Sequence, residues 1–170
     1  MIKRILVLII ICCVACVDEK SKENSAAEEV AVKIPTYNFE ELEKNLPTDQ
    51  EKTYVVNFWA TWCAPCVEEL PHFLKLNNKE DVEVILVSLD MPKMKETQLV
   101  PFVKKRNINA KVVLLDDPRS NVWIPKVDEN WDGAIPATLI YNSKNRKFYP
   151  RKFDTYQDLL GEVENFKNEI

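Results

Sequence analysis

The sequence predicts an α/β fold in which a central mixed sheet lies between two layers of helices, and three observations lead there. Tyr54 to Trp59 and Val84 to Val87 are apolar runs of the kind found in strands covered on both faces of a parallel sheet. Segments with helical apolar spacing alternate with such runs. Toward the C-terminus, Ala137 to Tyr141 and Arg146 to Tyr149 flank the turn residues Asn142-Ser143-Lys144-Asn145, a hairpin pattern. Together these give a three-layer architecture, and 170 residues suffice for one domain with a real core.

Composition excludes several function classes. Hydrophobic residues make up 46% and charged residues 29%, an ordinary globular balance. Gly133 and Gly161 are the only glycines, which rules out a glycine-rich phosphate loop. No basic patch stands out, so nucleic acid is not an expected partner.

In chain order, Lys3 and Arg4 precede an apolar run from Ile5 to Ala15, and charge begins at Asp18. That run matches a signal-peptide core and is short for a membrane span, so residues 1–15 are expected to be an export signal. Cys13-Val14-Ala15-Cys16 resembles a bacterial lipobox, which makes Cys16 the expected lipidation site; Cys13 departs from the usual Leu. Cleavage by ordinary signal peptidase is the alternative. Loss of Lys3 and Arg4 from the 23 basic residues leaves 21 against 27 acids, so membrane attachment would rest on the lipid. Residues 16–33 are rich in Glu, Lys, Ser and Ala without aromatics, and read as a charged tether reaching roughly 20 Å as a coil.

The globular domain is expected over 34–170. Ile34 to Tyr37 suggests a short strand, and Asn38 or Thr36 a cap for a helix through Leu46, stopped by Pro47. After the strand ending at Trp59 comes Trp62-Cys63-Ala64-Pro65-Cys66, with Val67, Leu70 and Leu74 at helical spacing. Pro65 suits a first helical turn, and Pro71 predicts a kink. Val82 to Leu89 is a second buried strand. Pro92 to Arg106 reads as helical with Pro101 bending or delaying it, and Val112 to Leu115 as a third strand. Arg119 to Gly133 shows no regular pattern. Asp154 and Gln157 match a capping box before a last helix with Tyr156, Leu159, Leu160, Val163 and Phe166 on one stripe.

The chemistry is concentrated at Cys63 and Cys66. Two thiols three apart at a helix start share a face and lie about 5–6 Å apart, within reach of a disulfide. Cys63 sits where free backbone N–H groups and the helix dipole favour thiolate, the nucleophilic form. Cys63 is therefore the expected attacking residue and Cys66 the resolving one in reversible disulfide exchange. No cofactor is required. A structural zinc site is disfavoured, because only Cys16 and His72 remain as further soft ligands after export.

The stretch from Asn57 to Pro71, with Trp62 before the pair, Pro65 inside it and Gly133-Ala134-Ile135-Pro136-Ala137-Thr138 downstream, resembles the active-site signature of the thioredoxin superfamily. More narrowly it resembles the exported, membrane-tethered TlpA/ResA-type thiol–disulfide oxidoreductases, and the likeness runs from Ile34 to the C-terminus. The resemblance implies a thioredoxin-like fold with that branch's extra helix and strand. It implies a cis Ile135–Pro136 bond beside a redox-active Cys63–Cys66 disulfide, and a substrate groove formed by Trp62, Ala64, Pro65, Ile135 and Pro136. Where cytosolic members carry a buried Asp in the strand, this chain has Asn57, which exchanges no proton at neutral pH. The exported branch has a Glu three residues after its second cysteine, and Glu69 occupies that position as the expected proton relay.

The implied partners are disulfide-containing exported proteins, with a membrane electron donor to restore the dithiol and cytochrome c maturation as one setting. The expected location is the cell envelope or periplasm. A disulfide oxidase or isomerase of the same fold is one alternative, and a peptide-binding module with a non-essential cysteine pair is another. A peroxidase is disfavoured because Ala60 occupies the place of the Thr in a Thr-x-x-Cys arrangement.

Overall fold

The structure, a computed structural model, describes residues 32–49 and 51–169. The expected export signal, Cys16 and nearly all of the tether lie outside the described residues. Among the described residues no helix is long and apolar enough to cross a membrane.

The elements are β1 (Thr36–Tyr37), α1 (Phe39–Asn45), β2 (Thr53–Trp59), α2 (Ala64–Leu76), β3 (Val82–Ser88), α3 (Val100–Lys105), β4 (Lys111–Leu115), α4 (Ser120–Val127), β5 (Ala137–Tyr141), β6 (Arg146–Tyr149) and α5 (Tyr156–Asn168). They form one six-stranded sheet of order β1-β4-β3-β2-β5-β6. The pairs β1–β4, β4–β3 and β3–β2 are parallel, and β2–β5 and β5–β6 are antiparallel. The sheet is thus mixed, as expected, with β2 inside it.

Strand alternation sorts the core onto two faces. Val55 and Trp59 of β2, Val84 and Leu86 of β3, and Ile140 of β5 pack with Leu70, Phe73 and Leu76 of α2, Val103 of α3, and Leu159, Val163 and Phe166 of α5. Val56, Phe58, Ile85, Val87 and Leu139 face the other way, onto Phe39 and Leu42 of α1 and Trp123 and Val127 of α4. Every residue of β2 is buried, which accounts for its unbroken apolar sequence.

The helix ends follow local chemistry. Asn38 caps α1, accepting from Glu41 N–H while the Glu41 side chain accepts from Asn38 N–H. α2 continues to Leu76 past Pro71, whose ring removes the backbone bond to the Val67 carbonyl. Three expectations change in detail. The 92–106 segment is a 3₁₀ turn (Pro92–Met94), a π-helical turn (Lys95–Leu99) and then α3, with Pro101 in its first turn. The last helix is capped by Thr155, which accepts from Asp158 N–H, one residue later than the Asp154 pattern. Arg119 to Gly133 contains a regular helix, α4, despite Pro125; the burial of Trp123 and Val127, one turn apart, anchors it.

Candidate active site

Cys63 is the N-cap of α2, and its sulfur accepts the Cys66 backbone N–H at 3.3 Å. The two sulfurs form a disulfide, with Cα atoms 5.3 Å apart. An amide and the helix dipole already point at Cys63 Sγ, so charge formed there on reduction meets a prepared environment. Cys66 is fully buried, whereas Cys63 retains a 6% exposed edge. Only the first of the pair can meet a partner's disulfide. Ala64 and Pro65 are exposed beside it, and Trp62 is 63% exposed.

Opposite the pair stands the Ile135–Pro136 peptide, which is cis. The Ile135 carbonyl oxygen lies 3.8 Å from Cys63 Sγ. The approach to this bond is fixed from the aromatic face of the sheet. Trp131 Nε1 donates to the Ala134 carbonyl at 2.8 Å, and its ring packs on Phe58, Trp123 and Phe148. Gly133 has φ +90°, a conformation that strains any residue with a Cβ, and a Cβ there would also push the Ile124 side chain aside, since it would come within 2.8 Å of Ile124 Cδ1. Trp123 and Trp131 are therefore packing and anchoring residues.

Glu69 lies one helical turn after Cys66 and is fully buried. One carboxyl oxygen accepts from Asn57 Nδ2 at 2.9 Å, the other from Phe153 N–H at 2.8 Å. Asn57 Nδ2 also donates to Thr138 Oγ1 at 3.2 Å, while Asn57 Oδ1 is buried without a hydrogen-bond partner. Burial raises the Glu69 pKa to about 7; the bonds from Phe153 and Asn57 and the charges of Lys152 and Arg151 oppose the rise but do not cancel it. A carboxyl on the same helix face as Cys66 thus exchanges a proton near neutrality, on a strand where Asn57 cannot.

A second buried acid, Asp90, was not legible in the sequence. It accepts from both the backbone N–H (3.1 Å) and the hydroxyl of Thr61, and from Ser88 Oγ at 2.8 Å. It ties the end of β3 to the loop that presents Trp62 and Cys63. Its only sequence signal is an acid directly after a buried strand. Thr138 and the Phe153 N–H were likewise missed. His72 is half-buried on α2. Among the described residues no group of three or more His, Cys, Asp or Glu side chains could hold a metal.

The AhpC/TSA family model matches residues 25–146. Thiol-disulfide oxidoreductase ResA of Geobacillus thermodenitrificans is 28% identical over 135 residues, covering 76% of this chain and 72% of that protein. Sporulation thiol-disulfide oxidoreductase A of Bacillus subtilis is 25% identical over 103 residues, covering 59% of this chain and 58% of its own length. Among solved structures, a thioredoxin-related protein from Neisseria meningitidis serogroup B superposes with a TM-score of 0.59 at 22% identity, over 74% of this chain and 90% of that one, a likeness of fold. With a thioredoxin-like sheet, a Cys-Ala-Pro-Cys disulfide at a helix start and a family match across most of its length, the chain belongs to the AhpC/TSA family.

Proposed function

We propose that this protein is a thiol–disulfide oxidoreductase that works outside the cytoplasm, reducing disulfides of exported proteins. The observation that carries the reading is the asymmetry of the pair. Cys63 is capped by an amide and reachable, and Cys66 is buried one turn from an acid that titrates near 7. In the dithiol form the Cys63 thiolate attacks one sulfur of the partner's disulfide; a Cys63–partner bond forms and the partner's other thiolate leaves. Cys66 then loses its proton toward the Glu69 carboxylate and attacks Cys63 Sγ, which restores the Cys63–Cys66 disulfide and frees the second partner thiol. The partner gains two electrons and the protein loses two.

Continued turnover needs an electron donor at the membrane, because the compartment is oxidising. An export signal over 1–15, a lipidated Cys16 and a tether to 33 would hold the domain near that donor, with cytochrome c maturation as one setting. The relatives named thiol-disulfide oxidoreductases support the reaction class. Trp62, Ala64, Pro65, Ile135 and Pro136 form the proposed substrate groove around Cys63.

Insulin reduction coupled to a chemical dithiol tests the reaction. The wild type is expected to accelerate it and Cys63→Ser to be inactive; a Cys63→Ser variant with full biological activity would favour a peptide-binding module instead. Cys66→Ser should accumulate mixed disulfides on Cys63 from envelope extracts, and Cys16→Ala should move the protein out of the membrane fraction.

A further inference from the structure

Two of the three exposed large apolar side chains of the described residues, Trp62 and Met91, come just after the carboxyl ends of the parallel strands β2 and β3; the third, Val122, is on α4. That carboxyl edge is where open α/β sheets bind ligands. Beside Trp62 a groove of about 380 Å³ is lined by Thr61, Trp62, Gln98, Pro101, Phe102 and Lys105. Trp62, Pro101 and Phe102 give it an apolar lining. One wall carries Gln98, from the π-helical turn that interrupts 92–106, and such turns recur at functional positions.

Charge divides between the segments that follow β3 and β4. Segment 91–107 holds Lys93, Lys95, Lys104, Lys105 and Arg106 against Glu96 alone, in a chain whose formal net charge is −4. Segment 116–132 holds Asp116, Asp117, Asp128, Glu129 and Asp132 against Arg119 and Lys126. The Cys63 loop has a neighbour from each. Trp62 ties it to the Lys105 groove. On the other side Asp132 accepts from Ala134 N–H, one residue before the Ile135 carbonyl that faces Cys63 Sγ. Among the described residues Lys105 forms no ion pair, so its charge is available to a partner.

We propose that the site selects and orients its partner by charge. The bound segment is a disulfide-containing peptide with carboxylates on the side of its cysteine that lies over Lys105, an apolar side chain in the Trp62–Phe102 groove, and basic residues on the side facing Asp132. The inference rests on the oxidoreductase reading and names the substrate class for it. Opposed charges on the two flanks make one direction of the segment complementary and the other repulsive, which is how charged rims confer specificity.

The test uses two peptides of identical composition and net charge. One carries two Glu before its cysteine and two Lys after it, and the other has the order reversed; each is a mixed disulfide with 2-thiopyridine. The Cys63 thiolate attacks the peptide sulfur, the S–S bond to pyridine breaks, and thiopyridone leaves with its absorbance. Cys66 then displaces the peptide thiol. At low salt the reduced protein should act on one peptide about fivefold faster or more, and on both within about twofold at 0.5 M salt, where screening is complete within a few ångströms. Lys105→Glu, at an exposed position, should bring the low-salt ratio below about twofold or invert it. A low-salt ratio under about twofold in the wild type, or one retained in 0.5 M salt or in Lys105→Glu, overturns the proposal. No thiopyridone from either peptide overturns the oxidoreductase reading itself, a result distinct from equal rates.

Discussion

The two faces of β2 are both apolar, Val55 and Trp59 on one and Val56 and Phe58 on the other, and they differ at Asn57. Val56 and Phe58 enter an aromatic cluster in which Phe58 lies 4.9 Å from Trp131 and Trp123 lies 5.7 Å from Trp131, centroid to centroid. Asn57, between them, points to the α2 face and joins the buried polar set of Glu69, Thr138 and Phe153 N–H. The aromatic face has no reactive group; it holds the Ile135–Pro136 turn in place. The other face, polar only at this set, carries the proton chemistry and leaves two buried atoms without a hydrogen-bond partner, Asn57 Oδ1 and Trp59 Nε1. Rigidity and reactivity are separated by the thickness of a single strand.

That separation can be broken from either side, and the largest effect belongs to the aromatic face. Trp131→Ala removes a 4% exposed ring and the anchor of Ala134, and is expected to lower stability by about 3–5 kcal/mol in chemical denaturation. Disulfide reduction should fall as well, because the turn opposite Cys63 loses its hold.

Next comes the pH dependence of the polar face. Glu69 binds its proton more tightly in the folded protein, where its pKa is about 7, than in the unfolded chain, where it is 4.5. Between those values the folded state holds a proton that the unfolded state has lost. Stability is therefore full below about pH 4.5 and falls as pH rises through 7, by about 3 kcal/mol. In the oxidised protein, whose cysteines do not titrate, Glu69→Gln should flatten this slope in denaturation curves recorded from pH 4 to 8. In the reduced protein the same variant should change the pH profile of Cys63 alkylation. An unchanged profile would remove Glu69 from the proton route.

Asp90→Ala removes the clamp on Thr61 and is expected to cost about 2 kcal/mol by leaving buried donors unpaired. It should also raise hydrogen exchange at the 60–63 amides, a change that lost packing elsewhere would not produce. The smallest expected effect is that of Thr138→Val, which deletes the 3.2 Å bond from Asn57 at about 1 kcal/mol and should leave reduction rates near wild type.

The same contrast explains what the sequence disclosed. Signals carried by neighbours were readable: the buried run through β2, the cysteine spacing, the Asn142–Asn145 turn and the Asn38 cap. Pro136 and Glu69 were reached through resemblance, since neither spacing nor composition marks them. Glu69's partners come from 12 and 84 residues away, so nothing local distinguishes it from the exposed Glu68 beside it. Asp90 reaches back 29 residues to Thr61 and was invisible for the same reason. Helix α4 was hidden by an internal Pro125 and by Arg119, which supplies no side-chain cap.

The long reach of these contacts also orders events during biosynthesis. A chain emerges from its N-terminus, so Cys63 and Cys66 appear well before the groups that complete their surroundings. The Ile135 carbonyl arrives 72 residues after Cys63, and the Phe153 N–H 84 residues after Glu69. Until then the thiols lie on an unfinished sheet, with no carbonyl opposite Cys63 and no backbone donor on the acid. The surroundings of the Cys63–Cys66 pair are therefore complete in sequence only once Phe153 has been synthesised.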